Sequence, residues 1–185
     1  MPAFTQVRLQ TPRLQLRPLV DTDAEALMAL YADERVARYL SRPAWTSLDQ
    51  ARASITRAQA GLESHEGLRL GVLLQGQERV IGDVVIFDFV PQCRRAEMGY
   101  ALAADHQGHG YMREALSALV DHAFTALDLN RLEADIDPRN AASARILERL
   151  GFRREGLLRE RWIVAGEVSD TALYGLIRSD WPPRG

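Results

Sequence analysis

Residues 95–127 read RAEMGYALAADHQGHGYMREALSALVDHAFTAL, and their pattern decides the fold. In Arg95–Leu102, Ala96, Met98, Tyr100 and Leu102 alternate with Arg95, Glu97, Gly99 and Ala101, the period of a strand with two distinct faces. From Met112 onward the period changes. Met112, Ala115, Leu116, Leu119, Val120, Ala123, Phe124 and Leu127 recur at steps of three and four, which is a helix with one apolar face. The junction Asp105-His106-Gln107-Gly108-His109-Gly110 holds two glycines. A strand, a glycine loop and a helix in that order bring unpaired backbone N–H groups and the positive end of a helix dipole to one place, where an anion fits without a lysine.

Working outward, Arg13–Pro18 alternates as a strand. Thr22–Glu25 and Ser47–Gln50 have the spacing of capping boxes that open two helices. Leu68–Leu74 and Val80–Phe87 are rich in Val, Ile and Leu around Gln75-Gly76-Gln77-Glu78, which reads as a hairpin. After the long helix, Arg131–Asp137 is a strand ended by Pro138, and Asn140 caps a helix closed by Gly151, with Phe152 folding back on its last turn. Arg161–Val164 and Thr171–Ile177 are two further strands, joined at Ala165-Gly166-Glu167. The order predicts an α/β fold of the mixed α+β kind, a mostly antiparallel twisted sheet of about six to seven strands with helices on both faces. No linker or repeat divides the chain, so residues 1–185 read as one domain.

The formal net charge of −2 gives no overall basic field, so nucleic acid is not the expected partner. The opening Met-Pro-Ala-Phe-Thr-Gln lacks the pattern of a secretion signal, and no stretch has the apolar length of a membrane span. The cytoplasm is the expected compartment, with no membrane partner. A homodimer is compatible with the sequence. The single Cys93 lies in a loop with no His near it in sequence, a poor setting for a nucleophile.

The loop spacing excludes the common nucleotide-binding alternatives, because Arg113 stands where a dinucleotide loop has its third glycine and no Gly-Lys-Ser/Thr occurs. Instead, Gln107-Gly108-His109-Gly110-Tyr111-Met112 resembles the pyrophosphate loop of the GNAT acetyltransferases, Gln/Arg-x-x-Gly-x-Gly/Ala. Met112 departs from the small residue at its end. Asn140-Ala141-Ala142-Ser143 and the helix ending Leu150-Gly151-Phe152 are similar to a second motif of that family, in its RimJ/RimL-like group, and Arg13-Leu14-Gln15-Leu16-Arg17-Pro18 looks like the family's first strand. The resemblance implies an acetyl-CoA-dependent N-acetyltransferase acting by direct attack in a ternary complex. The implied acceptor is a primary amine, at a protein N-terminus or on a small molecule. The cofactor would lie along Leu102, Ala103 and Ala104, on Gln107, Gly108, His109, Gly110, Tyr111 and Met112, and against Asn140 and Ser143.

An amine attacks a thioester only when neutral, and an alkylamine of pKa about 10 is almost all ammonium at neutral pH, so a base is required. Glu97 is the leading candidate, on residue chemistry and on resemblance alike, against the plainer reading of an ion pair with a neighbouring arginine. Asp135 and Asp137 are alternatives on the next strand, and His106 and His109 flank the loop. Departure of the thiolate needs little help, and Ser143 in the first turn of its helix is the candidate acid, against the reading of a serine bonded to its own backbone. The tyrosine acid that many relatives carry on this helix corresponds to Leu147 here. Trp45, Phe87 and Trp162 are candidates for the acceptor pocket. The His-x-x-His spacing at 106–109 has no supporting cysteine or carboxylate pair, so no metal is expected. The alternative function is a non-catalytic acyl-CoA-binding regulatory module.

Overall fold

A computed structural model describes residues 3–182. Met1 and Pro2, part of the opening segment read above for a secretion signal, lie outside the described residues, as do 183–185. In chain order the strands and helices are β1 (Leu9–Gln10), β2 (Leu14–Pro18), α1 (Ala24–Ala32), α2 (Glu34–Ala37), α3 (Leu48–Ser64), β3 (Gly67–Leu74), β4 (Val80–Val90), β5 (Arg95–Leu102), α4 (Tyr111–Thr125), β6 (Arg131–Ile136), α5 (Ala141–Arg149), β7 (Arg153–Val164) and β8 (Glu167–Ile177).

The strands form one sheet in the order β1-β2-β3-β4-β5-β6-β8-β7. The expected mixed, mostly antiparallel architecture is present, with a correction to the count: the sheet has eight strands. The additional strand, β1, has two residues, too few to show a period. The last hairpin is also longer than its pattern suggests, because β7 begins at Arg153 and β8 at Glu167. Residues 153–160 are mostly exposed on both faces, so no alternation marks them as strand.

Helices cover both faces of the sheet. On one face Met112, Ala115, Leu116, Leu119, Val120, Ala123 and Phe124 of α4 pack with Leu147 of α5 against Ala96, Met98 and Leu132. Each large side chain buried in this way contributes about 1.5–3 kcal/mol relative to exposure. On the other face Leu27, Leu30 and Tyr31 of α1 and Ala51, Ile55 and Ala58 of α3 close over Leu73, Val80 and Ala101. Gln50 caps α3 as its spacing predicts, accepting from the Ser47 N–H at 3.1 Å. The expected box at Thr22–Glu25 is corrected. The anchoring carboxylate is Asp23, which accepts from the Val20 N–H at 2.9 Å and from the Arg17 guanidinium at 2.7 Å.

One pairing creates the site. β5 and β6 run parallel, paired only through Arg95, Ala96 and Glu97 with Arg131, Leu132 and Glu133. Beyond that point β5 stays bonded to β4 as far as Leu102, so the sheet splits and the β6-facing edge of residues 98–102 is left without a strand partner. α5 enters this split, started by Asn140, whose side chain accepts from the Ser143 N–H at 3.1 Å. It ends in a Schellman turn, with Gly151 at φ 91° and the Phe152 N–H donating to the Leu147 carbonyl at 3.0 Å. Among the described residues no helix is long and apolar enough to cross a membrane.

Candidate active site

Two clefts open into the split. The smaller, about 420 Å³, runs from Tyr100, Ala101 and Leu102 along Gln107, Gly108, Gly110, Tyr111 and Met112 to Asn140 and Ser143. Gly108 and Gly110 have φ of +80° and +78°, which an L side chain adopts only at a cost. A Cβ on Gly108 would meet nothing within 4 Å, so the loop shows bare backbone to the cleft. The first N–H of α4 with a helical partner is that of Glu114, bonded to the Gly110 carbonyl at 3.1 Å; those of Tyr111, Met112 and Arg113 point out of the helix end.

The loop is held from outside. Arg13 donates to the His109 carbonyl at 2.9 Å and to Glu114 at 2.6 Å, and it lies over the Tyr111 ring. Gln107 donates to the Leu102 carbonyl at 3.0 Å. Met112, the departure from the family loop, is 4% exposed and joins the core beneath the site.

Of the sequence-predicted cofactor residues, Leu102, Gln107, Gly108, Gly110, Tyr111, Met112, Asn140 and Ser143 line the smaller cleft. Ala103, Ala104 and His109 are not among its lining residues, and His109 is exposed with its ring stacked on Tyr111. Sequence reasoning missed Arg35, Arg113, Arg145 and Arg149, which line the cleft with no Asp or Glu among its lining residues. Arg145 and Arg149 are four apart, one turn of α5, and that spacing was the available signal. Bare amides, a helix N-terminus and an arginine rim together fit the diphosphate and phosphate groups of coenzyme A.

The larger cleft, about 1150 Å³, lies on the other side of the split and meets the first at Tyr39, Leu40, Tyr100, Asn140 and Ser143. Glu97 and Asp135 line it from β5 and β6. The ion-pair reading of Glu97 is corrected, since its neighbour is the Asp135 carboxyl. Burial first, then the charge of Asp135, push the Glu97 carboxyl up to about 7. Burial also raises Asp135, offset in part by Arg161 and by the hydrogen bond with Glu97. Asp137 is different. Although burial opposes it, Arg139 at 2.6 Å holds that carboxyl below the usual range.

At the junction, the Ser143 hydroxyl lies 2.5 Å from the Tyr100 hydroxyl, so Ser143 pairs across the split as well as taking the cap bond through its backbone N–H. Burial pushes the Tyr100 phenol up to about 12. Tyr100 was read from sequence only as a strand residue. Leu147 is fully buried and offers nothing to the junction. Phe87 and Trp162 line the larger cleft. Trp45 does not: it is 7% exposed and packs on Tyr31, ring centroids 4.6 Å apart. Tyr31 donates to the buried Asp83 at 2.7 Å, and Asp83 also binds Arg69. Among the described residues no group of three or more His, Cys, Asp or Glu is placed to hold a metal ion.

A sheet split over a helix end with unpaired amides and an arginine rim, with a carboxyl pair lining the other side, fits the class of coenzyme A-dependent acyltransferases. Residues 13–153 match the acetyltransferase (GNAT) domain, so the chain belongs to the GNAT acetyltransferase family and is an N-acetyltransferase whose acyl donor is acetyl-CoA. It is 34% identical to the uncharacterized N-acetyltransferase YoaA of Bacillus subtilis, over 92% of this chain and 96% of that one. It is 30% identical to the [ribosomal protein uS5]-alanine N-acetyltransferase of Escherichia coli, over 96% and 94%. The structure of Mycobacterium smegmatis RimJ in complex with CoA-disulfide superposes with a TM-score of 0.83 at 26% identity, covering 96% of this chain and 88% of that one.

Proposed function

We propose that residues 1–185 act as one cytoplasmic catalytic domain that acetylates the α-amine at a peptide or protein N-terminus, with free small amines as secondary acceptors. The observation that carries this reading is the meeting of the two clefts at Tyr100, Asn140 and Ser143, with the Glu97–Asp135 pair lining the acceptor side. The size of the larger cleft, about 1150 Å³, supports a peptide end over a small amine alone. The name of the Escherichia coli relative points the same way.

Acetyl-CoA supplies an activated acetyl thioester. The amides of residues 108–113 and the arginine rim hold its phosphates, and the free edge of Met98–Leu102 together with Asn140 receives its arm. The acceptor ammonium gives up two protons as its nitrogen bonds the acetyl carbon and the C–S bond breaks: one ends on the departing coenzyme A thiolate, and the other, lost before attack so that the amine is neutral, goes to Glu97. With a pKa of about 7, it is strong enough to take that proton and is still largely ionised just above neutrality. Asp135 positions Glu97 and, being negative, draws the cationic acceptor in. Ser143, bonded to Tyr100, donates toward the departing sulfur.

The test incubates the protein with acetyl-CoA and peptides bearing free Ala or Ser N-termini, following thiol release, with mass spectrometry to place the acetyl group. The expected result is one acetyl on the α-amine and a rate above that with simple diamines. Thiol release with diamines only would overturn the choice of acceptor, and coenzyme A binding with no release for any amine would overturn the reading as a whole.

A further inference from the structure

Six arginines are partly buried among the described residues: Arg17, Arg42, Arg69, Arg95, Arg131 and Arg178. Five of them meet a carboxylate, in Arg17 with Asp23, Arg69 with Asp83, Arg95 and Arg131 with Glu133, and Arg178 with Asp128. That is the general rule for a charge removed from water. Arg42 is the exception, with no carboxylate within 4 Å among the described residues.

Its position is nevertheless held. The guanidinium lies 4.3 Å from the centroid of the Tyr31 ring and 5.1 Å from that of Trp45, and both rings are buried. Contact with an aromatic face engages the flat side of a guanidinium and leaves its in-plane N–H donors for a further partner. Tyr31 is itself fixed by its bond to Asp83, and Asp83 is neutralised by Arg69, so that acid does not answer Arg42. The Arg42 side chain lines the larger cleft. It stands on the segment between α2 and α3, whereas Glu97 and Asp135 line the same cleft from the sheet. The acceptor cleft therefore has an anionic side at the split and a preorganised, unanswered cation on its helical wall.

We infer that Arg42 is the anion receptor of the acceptor site, and that the preferred acceptor carries a carboxylate close to its amine, as a peptide does when Asp or Glu follows the N-terminal residue. The inference rests on the acetyl-transfer reading above. The ammonium goes to the Glu97–Asp135 side and the carboxylate to the guanidinium fork, which accepts a planar carboxylate through two parallel bonds. Opposite charges at the two ends fix the direction of the chain in the cleft and select against polyamines, whose second cation would face Arg42.

The test compares kcat/KM for matched peptides that share a free N-terminal Ala and differ only by Asp or Asn in the next positions, with free aspartate as a third acceptor. The wild type is expected to prefer the Asp peptide by about tenfold at low salt, the size of one charge-assisted hydrogen-bonded contact. Arg42→Gln is expected to bring that ratio close to one, and Arg42→Lys, which keeps the charge without the fork, to leave it in between. Arg52→Gln, on α3 and outside the cleft lining, keeps the wild-type ratio. Turnover of free aspartate at the rate of the Asp peptide would move the site from peptides to amino acids while keeping the role of Arg42. Equal rates for the Asp and Asn peptides in the wild type would overturn the inference and leave the transferase standing, without recourse to any variant. Absence of acetylation on every acceptor would overturn the transferase reading itself.

Discussion

Glu97→Gln is predicted to trade activity for stability, and both effects follow from the position of one carboxyl. Burial and the Asp135 charge raise Glu97 from an ordinary 4.5 to about 7, so the folded protein binds this proton more tightly than the unfolded chain does. The associated stability is fully present below about pH 4.5, declines as pH rises, and is gone above about pH 7. Taken at face value, the rise is worth about 3 kcal/mol. Glu97 is only half-buried, and solvent screening reduces that to about 1–2 kcal/mol. Glutamine keeps a donor for Asp135 and never ionises. The variant should therefore melt about 2–6 °C above the wild type at pH 8, with the difference vanishing near pH 4.5. Over the same range kcat should fall about a hundredfold or more, and the deficit should shrink above the acceptor's own pKa, where the amine deprotonates itself. Thermal denaturation at both pH values, paired with initial rates across pH, measures the two effects. A variant no more stable than the wild type at pH 8, or one whose pH profile parallels the wild type, would refute the reasoning and pass the role of base to another group.

Three further outcomes are expected. Gly110→Trp forces a left-handed position and fills the space over the start of α4, so calorimetry should show coenzyme A affinity falling by at least about tenfold; undiminished affinity would remove the loop from the binding site. Tyr100→Phe strips the Ser143 hydroxyl of its partner across the split, and kcat should fall by about tenfold, whereas an unaltered kcat would separate this pair from the chemistry. Asp83→Asn leaves the buried Arg69 without its counter-charge and should cost about 3–5 kcal/mol, seen as a melting point lower by roughly ten degrees.

The elements legible in the sequence are those whose pattern and surroundings agree. β5 and α4 each have one apolar face against a helix or the sheet, so periods of two and near 3.6 appear plainly at Arg95–Leu102 and Tyr111–Thr125. The caps at Ser47 and Asn140 are equally local, because their partners lie three residues away. β7 was half hidden because residues 153–160 bury almost nothing. The short parallel contact of β5 with β6 leaves no local trace at all, although it makes the cleft. At the site, the glycine loop, Asn140 and Ser143 were readable from type and order. The proximity of Glu97 to Asp135, the bond between Tyr100 and Ser143, and the burial of Trp45 depend on which strands part and which helix enters between them. Arg42 is the extreme case. In sequence it is one arginine among many, and its distinction lies in what it does not touch.

The central claim is that a diphosphate binds the amides where residues 107–112 turn into α4. A crystal structure with acetyl-CoA tests it directly: diphosphate oxygens are expected within hydrogen-bond distance of the N–H groups of residues 108–113, with the thioester beside Ser143. Acetyl-CoA bound elsewhere, with that corner closed by side chains, would contradict the account.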